Sequence, residues 1–275
     1  MLKSRCQTIV LFRALKARLG AKASKNSTAN KVSETPALPP EHQLERKNSL
    51  NSFNSHKRIK MEKKKFSPCD YVSRVQDNQP KPLTKELFLT LLEDMDVRLN
   101  CEIIRRHGPD AEVYKRLLPG ICWQSKFNGG LRTDKNAQAT GFFCLDIDIH
   151  HEEEFKRLLQ TEGVSAAYRW AEKEARERAE CWTRMAEAET SVAPPIGGEL
   201  DIVAIHISPS KTGVHVVALC NPACNSIAED QARLAHLLGT SYDTVCKDPA
   251  RIFFVTPKED WKYLDLETLF PDEEE

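Results

Sequence analysis

The chain of 275 residues carries 40 Lys and Arg and 40 Asp and Glu, so its formal net charge at pH 7 is zero. The charge is unevenly spread: residues 1–65 have 16 basic and four acidic side chains, whereas residues 66–275 have 24 basic and 36 acidic ones. The acidic part would repel nucleic acid as a whole, so it could bind nucleic acid only through a local basic patch. No apolar run approaches the ~20 residues of a membrane span, and nine cysteines without a Cys-x-x-Cys pair argue against a disulfide scaffold, so we expect a soluble protein from a reducing compartment.

Residues 1–65 are rich in Ser, Asn, Lys and Arg and show almost no sustained periodicity, which predicts a disordered basic segment. The acid-free stretch 1–33 is similar in composition to a mitochondrial transit peptide, and the run 57–65 to a nuclear signal or a nucleic-acid-binding arm. Met61 is an alternative start, in which case everything before it is an upstream extension of the reading frame. We expect a cytoplasmic protein of a bacterium or phage host, with the two targeting signals as alternatives.

The segment from Phe66 to Asp148 has the pattern of a folded domain. Thr84 is placed to cap a helix whose apolar face is formed by Leu87, Phe88, Leu91, Leu92 and Met95. The further elements predicted here are a short helix at 111–118, strands at 120–123 and 140–147, and a polar loop at 128–138.

Helices and strands continue to follow one another after residue 148. A helix beginning near His151 would bury Phe155, Leu158 and Leu159. The Ala-, Glu- and Arg-rich stretch 166–189 predicts a long, exposed, charged helix within an insertion at about 162–199. The remaining predicted elements are strands at 202–207, 214–219 and 251–256, a hairpin at 208–213 and a helix at 227–238. This order indicates an α+β fold or a mixed α/β sheet.

The first motif with chemical content is the pair Asp146 and Asp148, at the end of the apolar run 141–148. Side chains at i and i+2 of a strand project from the same face, so the two carboxylates would lie side by side. Like charges this close repel unless a hard divalent ion with oxygen preference, such as Mg²⁺ or Mn²⁺, takes up the charge. The alternative is a strand that ends in a solvated turn.

The second motif is the run Ser208-Pro-Ser-Lys-Thr-Gly-Val-His215 between two apolar strands. Gly213 permits a tight turn, the hydroxyl groups and loop amides are able to cradle anionic oxygens, and Lys211 supplies a positive charge. Alone, the same run fits an ordinary hairpin whose His215 is a structural hydrogen-bond donor.

The third motif spans residues 242–255 and contains Asp243 and Asp248 as candidates for a third carboxylate. Arg251 begins an apolar strand and is placed to aim its guanidinium group at phosphate, or to pair with a neighbouring acid. Cys220 and Cys224, together with a histidine, are a weaker alternative for a zinc site.

In this order the three motifs resemble the signature motifs of the archaeo-eukaryotic primase superfamily, the primase-polymerases. The stretches 117–123, 140–148, 208–217 and 247–256 look more closely like the primase-like family called the VirE N-terminal domain, which is found in mobile-element and phage-derived proteins. The resemblance covers about residues 61–265. It implies an α+β fold with an RRM-like core, in which a mixed β-sheet is flanked by helices, as the catalytic domain 66–275.

The resemblance also implies that Asp146, Asp148 and a third carboxylate hold two Mg²⁺ or Mn²⁺ ions, and that nucleoside triphosphates are the substrates. Asp243 is the preferred third ligand, Asp248 is the alternative, and His215 is counted with the catalytic residues. The residues implied for nucleotide binding are Ser208, Ser210, Lys211, Thr212, Gly213, His215 and Arg251. The local basic candidates for a single-stranded or primed DNA template are Lys126, Arg132 and Lys135, and a helicase or other replication protein is the implied partner.

These expectations favour a metal-dependent primase-polymerase-like nucleotidyltransferase that acts in DNA replication or priming of a mobile element or phage-derived replicon. Two alternatives stay open. One is a catalytically silent primase-like module that binds nucleic acid. The other is a metal-dependent phosphoesterase or nuclease, which needs the same carboxylates but not the triphosphate-binding hairpin. The insertion at 162–199 is longer than is usual for the family and has no assigned role.

Overall fold

The structure is a computed structural model, and it describes residues 69–128, 130–191 and 199–271. The predicted disordered segment 1–65, with its alternative start and its two targeting signals, lies outside the described residues. Among the helices of the described ranges, none combines the length and the hydropathy that crossing a bilayer requires.

The first layer of the fold is a small antiparallel sheet with three helices beside it. Its helices are α1 (Lys85–Leu92), α2 (Met95–His107) and α3 (Glu112–Lys115). Its strands are β1 (Asp70–Val72), β2 (Lys81–Pro82), β3 (Gly120–Cys122) and β9 (Phe253–Phe254), in the order β2-β1-β3-β9. A two-stranded ribbon of β4 (Ser125–Lys126) and β5 (Gln138–Ala139) follows β3.

The second layer is a longer four-stranded sheet that carries the first two motifs. Its strands are β6 (Phe142–Asp148), β7 (Ile202–Ile207), β8 (Gly213–Leu219) and β10 (Trp261–Leu264), in the order β10-β7-β8-β6. The helices that follow β6 in the chain are α4 (Glu153–Thr161), α5 (Val164–Ser191), α6 (Ile227–Leu238) and α7 (Leu266–Leu269). The described chain is therefore α+β, and because every strand pair in it is antiparallel, the expected mixed sheet is not present there.

The first predicted helix is in fact two helices. Thr84 caps α1 as expected, since its Oγ1 accepts the Leu87 N–H at 3.2 Å. The chain then turns at Asp94, whose side chain accepts the Asp96 N–H at 2.7 Å and so caps a second helix. Met95 consequently begins α2 and is 70% exposed, instead of completing the apolar face of α1.

The expectation that the stretch 166–189 forms an exposed helix is wrong in one respect. Helix α5 is long and charged on one side, but a stripe of four small residues at four-residue spacing is completely buried against the second sheet, together with Trp182. Small side chains allow a helix axis to approach its neighbour closely. The buried stripe consists of Ala167, Ala171, Ala175 and Ala179.

The second sheet separates two hydrophobic cores, and this decides where the carboxylates point. Phe143, Leu145 and Ile147 face the core formed with α5, whereas Phe142 and Cys144 face the core formed with the first sheet, α1 and α2. Alternation along β6 therefore places Asp146 and Asp148 on the second of these faces, in line with Cys144.

Candidate functional site

Strand pairing brings the first two motifs together. In the antiparallel pair of β6 and β8, Asp146 lies opposite His215 and Asp148 lies opposite Gly213. In the pair of β7 and β8, His206 lies opposite His215. Directly opposite side chains on one face of a sheet lie about 5 Å apart at Cβ, so the register alone assembles an Asp-His-His row across three strands.

Asp146 is the most closely surrounded carboxylate of the site. Its Oδ1 lies 3.4 Å from His215 Nε2, and its Oδ2 accepts a hydrogen bond of 3.4 Å from the Cys246 thiol. Burial on its own raises the pKa of this carboxyl, but the interaction with His215 and the thiol hydrogen bond outweigh it, so the pKa lies below its ordinary value. Asp146 is therefore held as a carboxylate.

Asp243 joins Asp146 from the third motif. Its backbone N–H donates to the Asp146 carbonyl oxygen at 2.8 Å, and its Oδ2 accepts from the Cys246 thiol at 3.4 Å. Ligand atoms of Asp146, Asp243 and Cys246 all lie within 4.8 Å of one another. Asp248, the alternative third carboxylate, is not in this group: its side chain is 58% exposed and lies 3.7 Å from Arg251.

Cys246 is a member of the site that sequence reasoning missed. Its thiol donates to both carboxylates from the 3₁₀ turn Thr244–Lys247, which Asp243 caps by accepting the Val245 N–H at 2.9 Å. Burial and the charge of Asp146 raise the pKa of the thiol, so that it keeps its proton. The signal was present in the sequence only as a cysteine three residues after an aspartate.

Asp148 belongs to a second group, on the turn that follows β6. Its carboxylate oxygens lie 3.6 Å from His150 Nδ1 and 3.8 Å from His151 Nε2. Burial and the neighbouring charge of Asp146 raise the pKa of Asp148, and burial lowers the pKa of His150. The two aspartates of the first motif thus share a face but have different partners.

His215 continues into a buried chain of hydrogen bonds. Its Nδ1 lies 3.3 Å from His206 Nε2, and His206 Nδ1 lies 3.2 Å from Thr256 Oγ1. His206 Nδ1 also lies 3.3 Å from the Ile207 carbonyl oxygen, which can only accept, so His206 donates there from Nδ1–H and its Nε2 accepts from His215 Nδ1–H. His206 also stacks on Trp261, with ring centroids 4.2 Å apart and planes 13° apart, which fixes the orientation of the ring.

The 208–213 loop is a tight hairpin connection. The Ser208 N–H donates to the Gly213 carbonyl at 3.0 Å, and the Thr212 carbonyl accepts the Ile149 N–H at 3.0 Å, which ties the loop to the end of β6. A Cβ on Gly213 would lie 2.8 Å from the Ile147 carbonyl oxygen, so the close approach of the two strands requires glycine. Lys211, in contrast, has its Nζ 3.0 Å from Glu172 and does not reach toward the carboxylates.

Next to the loop lies a cavity of about 270 Å³ with positively charged and hydroxyl-bearing walls. The Ser210 and Thr212 hydroxyl groups, which are 2.8 Å apart, form one wall. Arg105 is held by the Pro209 carbonyl at 3.0 Å and by Asp260. Lys115 lies close enough to Asp146 to help lower its pKa. The polar lining residues are Arg105, Glu112, Lys115, His150, Tyr168, Ser210 and Thr212.

Sequence reasoning missed Arg105 and Lys115 because they lie in charged helical segments far from the motifs. It chose instead the basic residues before β6, Lys126, Arg132 and Lys135. The Arg132 guanidinium donates to the carbonyls of Ala250 and Val75, at 3.0 Å each, and therefore stabilises the loop. Lys135 is exposed and Lys126 is half-buried on β4.

The remaining candidates from the sequence are Arg251, Cys220 and Cys224. Arg251 precedes the short strand β9, and its Nη2 donates to the Val245 carbonyl at 2.9 Å. Cys220 and Cys224 belong to neither of the two groups of potential metal ligands found among the described residues. Comparisons of the chain with family models, with curated proteins and with solved structures find no match to any of them.

Proposed function

We propose that this protein is a metal-dependent nucleotidyltransferase of the primase-polymerase type, built on an RRM-like core. The observation that carries the proposal is the pair Asp146 and Asp243, with Asp148 on the same face of β6, near a cavity that His150, a neighbour of Asp148, lines together with Lys115 and the Ser210 and Thr212 hydroxyl groups. Carboxylates beside an anion-binding cavity are what transfer of a nucleotide from its triphosphate requires.

The donor set fits hard divalent cations. Asp146 and Asp243 offer carboxylate oxygens within 4.8 Å of each other, and Asp148 offers two more on the same face of the strand. Asp146 and Asp243 would hold Mg²⁺ or Mn²⁺, and Asp148 would hold a second divalent ion on the same face of the strand. When bound, such ions neutralise phosphate charge and lower the pKa of a coordinated hydroxyl group.

The side chains around the carboxylates have separate roles in this proposal. Lys115 supplies positive charge to the triphosphate, and Ser210 and Thr212 donate hydrogen bonds to its oxygens. Arg105, which is paired with Asp260, holds the 208–213 loop through the Pro209 carbonyl. His215 holds Asp146 as a carboxylate and fixes the orientation of its oxygens. His215 is only 5% exposed, so we assign it to positioning Asp146 and not to contact with the nucleotide.

The nucleic acid in this proposal is a single-stranded or primed DNA, as expected for replication of a mobile element or phage-derived replicon with a helicase as partner. Lys126, half-buried on the ribbon, and Lys135, exposed in the loop before β6, are the residues that we assign to its phosphates. Arg132 is left out of this role because its guanidinium already donates to two carbonyls.

The experiment is extension of a primed DNA template with nucleoside triphosphates and Mg²⁺ or Mn²⁺. We expect incorporation by the wild-type protein and a loss of more than about 100-fold in Asp146→Asn and Asp243→Asn, because loss of a ligand should exceed the effect of losing a second-sphere partner. Asp248→Asn, a carboxylate from the same segment outside the group, is the matched control and should retain activity.

Two other results would replace the proposal. Metal-dependent loss of substrate without any triphosphate would identify a phosphoesterase or nuclease. DNA binding without incorporation, by a folded wild-type protein and with either metal, would identify a catalytically silent module. The Cys246 thiol gives this second outcome a specific basis, because it already donates hydrogen bonds to Asp146 and Asp243.

A further inference from the structure

We infer that the turn after β6 binds a transition-metal ion through Asp148, His150 and His151. Ligand atoms of these three residues lie within 4.8 Å of one another, and their donors are one carboxylate and two imidazoles. The inference deepens the proposed function, on which it rests for the role of the ion, by naming the kind of metal that Asp148 takes.

The backbone fixes the turn that carries the two histidines. Residues Ile149–His151 form a single 3₁₀ turn, and the Ile149 side chain is completely buried. The Ile149 N–H donates to the Thr212 carbonyl, and the Glu152 N–H donates to the Ile149 carbonyl, both at 3.0 Å. The backbone therefore fixes the two positions after Asp148 from which the histidine side chains extend.

The distances are close to those of a metal site. Ligands at about 2.1 Å from a tetrahedral ion are separated from each other by roughly 3.4 Å. The separations between Asp148 and the two imidazole nitrogens are 3.6 and 3.8 Å. The 3.6 Å distance is to Asp148 Oδ1 and the 3.8 Å distance to Oδ2, and one ligand atom from each of the three residues lies within 4.8 Å of the other two.

The donor types select the metal. Mg²⁺ prefers oxygen ligands and keeps much of its water, whereas imidazole suits the ions from Mn²⁺ to Zn²⁺, for which affinity generally rises along the series. His150 also lines the cavity proposed for the triphosphate, so the ion would lie at the edge of that cavity. A site of two histidines and one carboxylate therefore predicts binding of Zn²⁺ and Co²⁺ well ahead of Mg²⁺.

The test measures metal binding directly, without nucleotide or DNA. The full chain, freed of metal by a chelator, is titrated with Zn²⁺ in a calorimeter and with Co²⁺ by visible absorption, with Mg²⁺ for comparison. The variants are His150→Ala with His151→Ala, and His151→Ala alone. His236→Ala is the matched control, because His236 is exposed on α6 and belongs to neither group of ligands.

We expect the double variant to lose one Zn²⁺ equivalent, or at least about tenfold in affinity, while the control matches the wild type. Zn²⁺ and Co²⁺ binding unchanged in the double variant, or Mg²⁺ binding as tight as Zn²⁺, would overturn the inference. Thermal unfolding in chelator shows whether the double variant is folded. If it is not folded, the single variant His151→Ala provides the test, because that side chain is 68% exposed and its removal should not disturb the core.

The outcomes separate this inference from the proposed function. Zn²⁺ binding that depends on the two histidines, in a protein that incorporates no nucleotide, would leave the site standing and refute the polymerase activity. Nucleotide incorporation that depends on Asp146, with Zn²⁺ binding unchanged by removal of both histidines, would support the polymerase activity and refute the histidine metal site.

Discussion

Replacing His206 by Gln tests the buried chain of histidines through its effect on stability. The His206 side chain is 1% exposed, and burial together with the charge of His215 lowers its pKa well below the ordinary value for imidazole. Gln keeps hydrogen-bonding capacity at this position but does not titrate. The variant therefore removes one pH-dependent contribution to the free energy of unfolding.

The sign and size of that contribution follow from linkage. The unfolded chain binds a proton at an imidazole below about pH 6.5, while the folded chain keeps His206 neutral to much lower pH. The free energy of unfolding therefore falls as the pH falls through the unfolded value. Between pH 7.5 and pH 5 the loss from this one group is at most about 2 kcal/mol, the limit in which folded His206 stays neutral throughout.

The assay is urea denaturation of the wild type and of His206→Gln at both pH values. Since other groups titrate in both proteins, the informative quantity is the difference between them, which should shrink by up to about 2 kcal/mol on going from pH 7.5 to pH 5. His236→Gln, at an exposed position, is the control: the difference in unfolding free energy between it and the wild type should be nearly the same at the two pH values. An equal difference between wild type and His206→Gln at the two pH values would refute a neutral, buried His206.

Three further predictions concern packing, each measured as the free energy of unfolding in urea. Ala175→Leu overfills the interface of α5 with the second sheet and should cost about 1–3 kcal/mol, while Lys173→Leu, on the exposed side of α5, should cost far less. Gly213→Ala should cost about as much, because its Cβ would clash with the Ile147 carbonyl. Phe88→Ala should cost about 3–5 kcal/mol, since its buried ring contacts three other aromatic rings; a loss below 1 kcal/mol would contradict this core.

The parts of the fold that sequence reasoning predicted correctly have strong local signals. Strands β6, β7 and β8 are apolar runs bounded by turn residues, and helix α6 has an apolar face, a Ser226 cap and Gly239 at its end. Strand β10 had no such signal, because Trp261–Leu264 mixes aromatic and charged residues. It pairs with β7 and contributes Trp261, whose ring stacks on His206, so the pairing partner and not the segment itself defines the strand.

The residues of the candidate site likewise fall into those with a local sequence signal and those without one. Asp146, Asp148 and His215 were predictable because they lie on strands where the alternation of side chains fixes the face, and Asp243 was preferred within the third motif for its place before the segment that carries Arg251. Arg105 and Lys115 were not, because α2, α3 and the 208–213 loop meet only in the tertiary structure. The role of α5 was missed for a related reason: alanines in a charged sequence give a weak apolar signal, although their burial is complete.

The buried polar side chains of the site stabilise the fold less than apolar residues would, which suggests that they are present for function. Asp146, His206 and His215 occupy positions that, two residues along the same strands, are filled by the buried side chains of Cys144, Ala204 and Val217. Apolar residues at the three positions would extend the core, whereas each polar group buried there costs about 1–3 kcal/mol if it lacks a partner. The three groups avoid that cost only as a set, because each one supplies the hydrogen-bond partner of the next. A chain of this kind gains little stability over apolar packing, so we attribute its presence to the carboxylate at its open end, which it holds ionised and oriented beside Asp243.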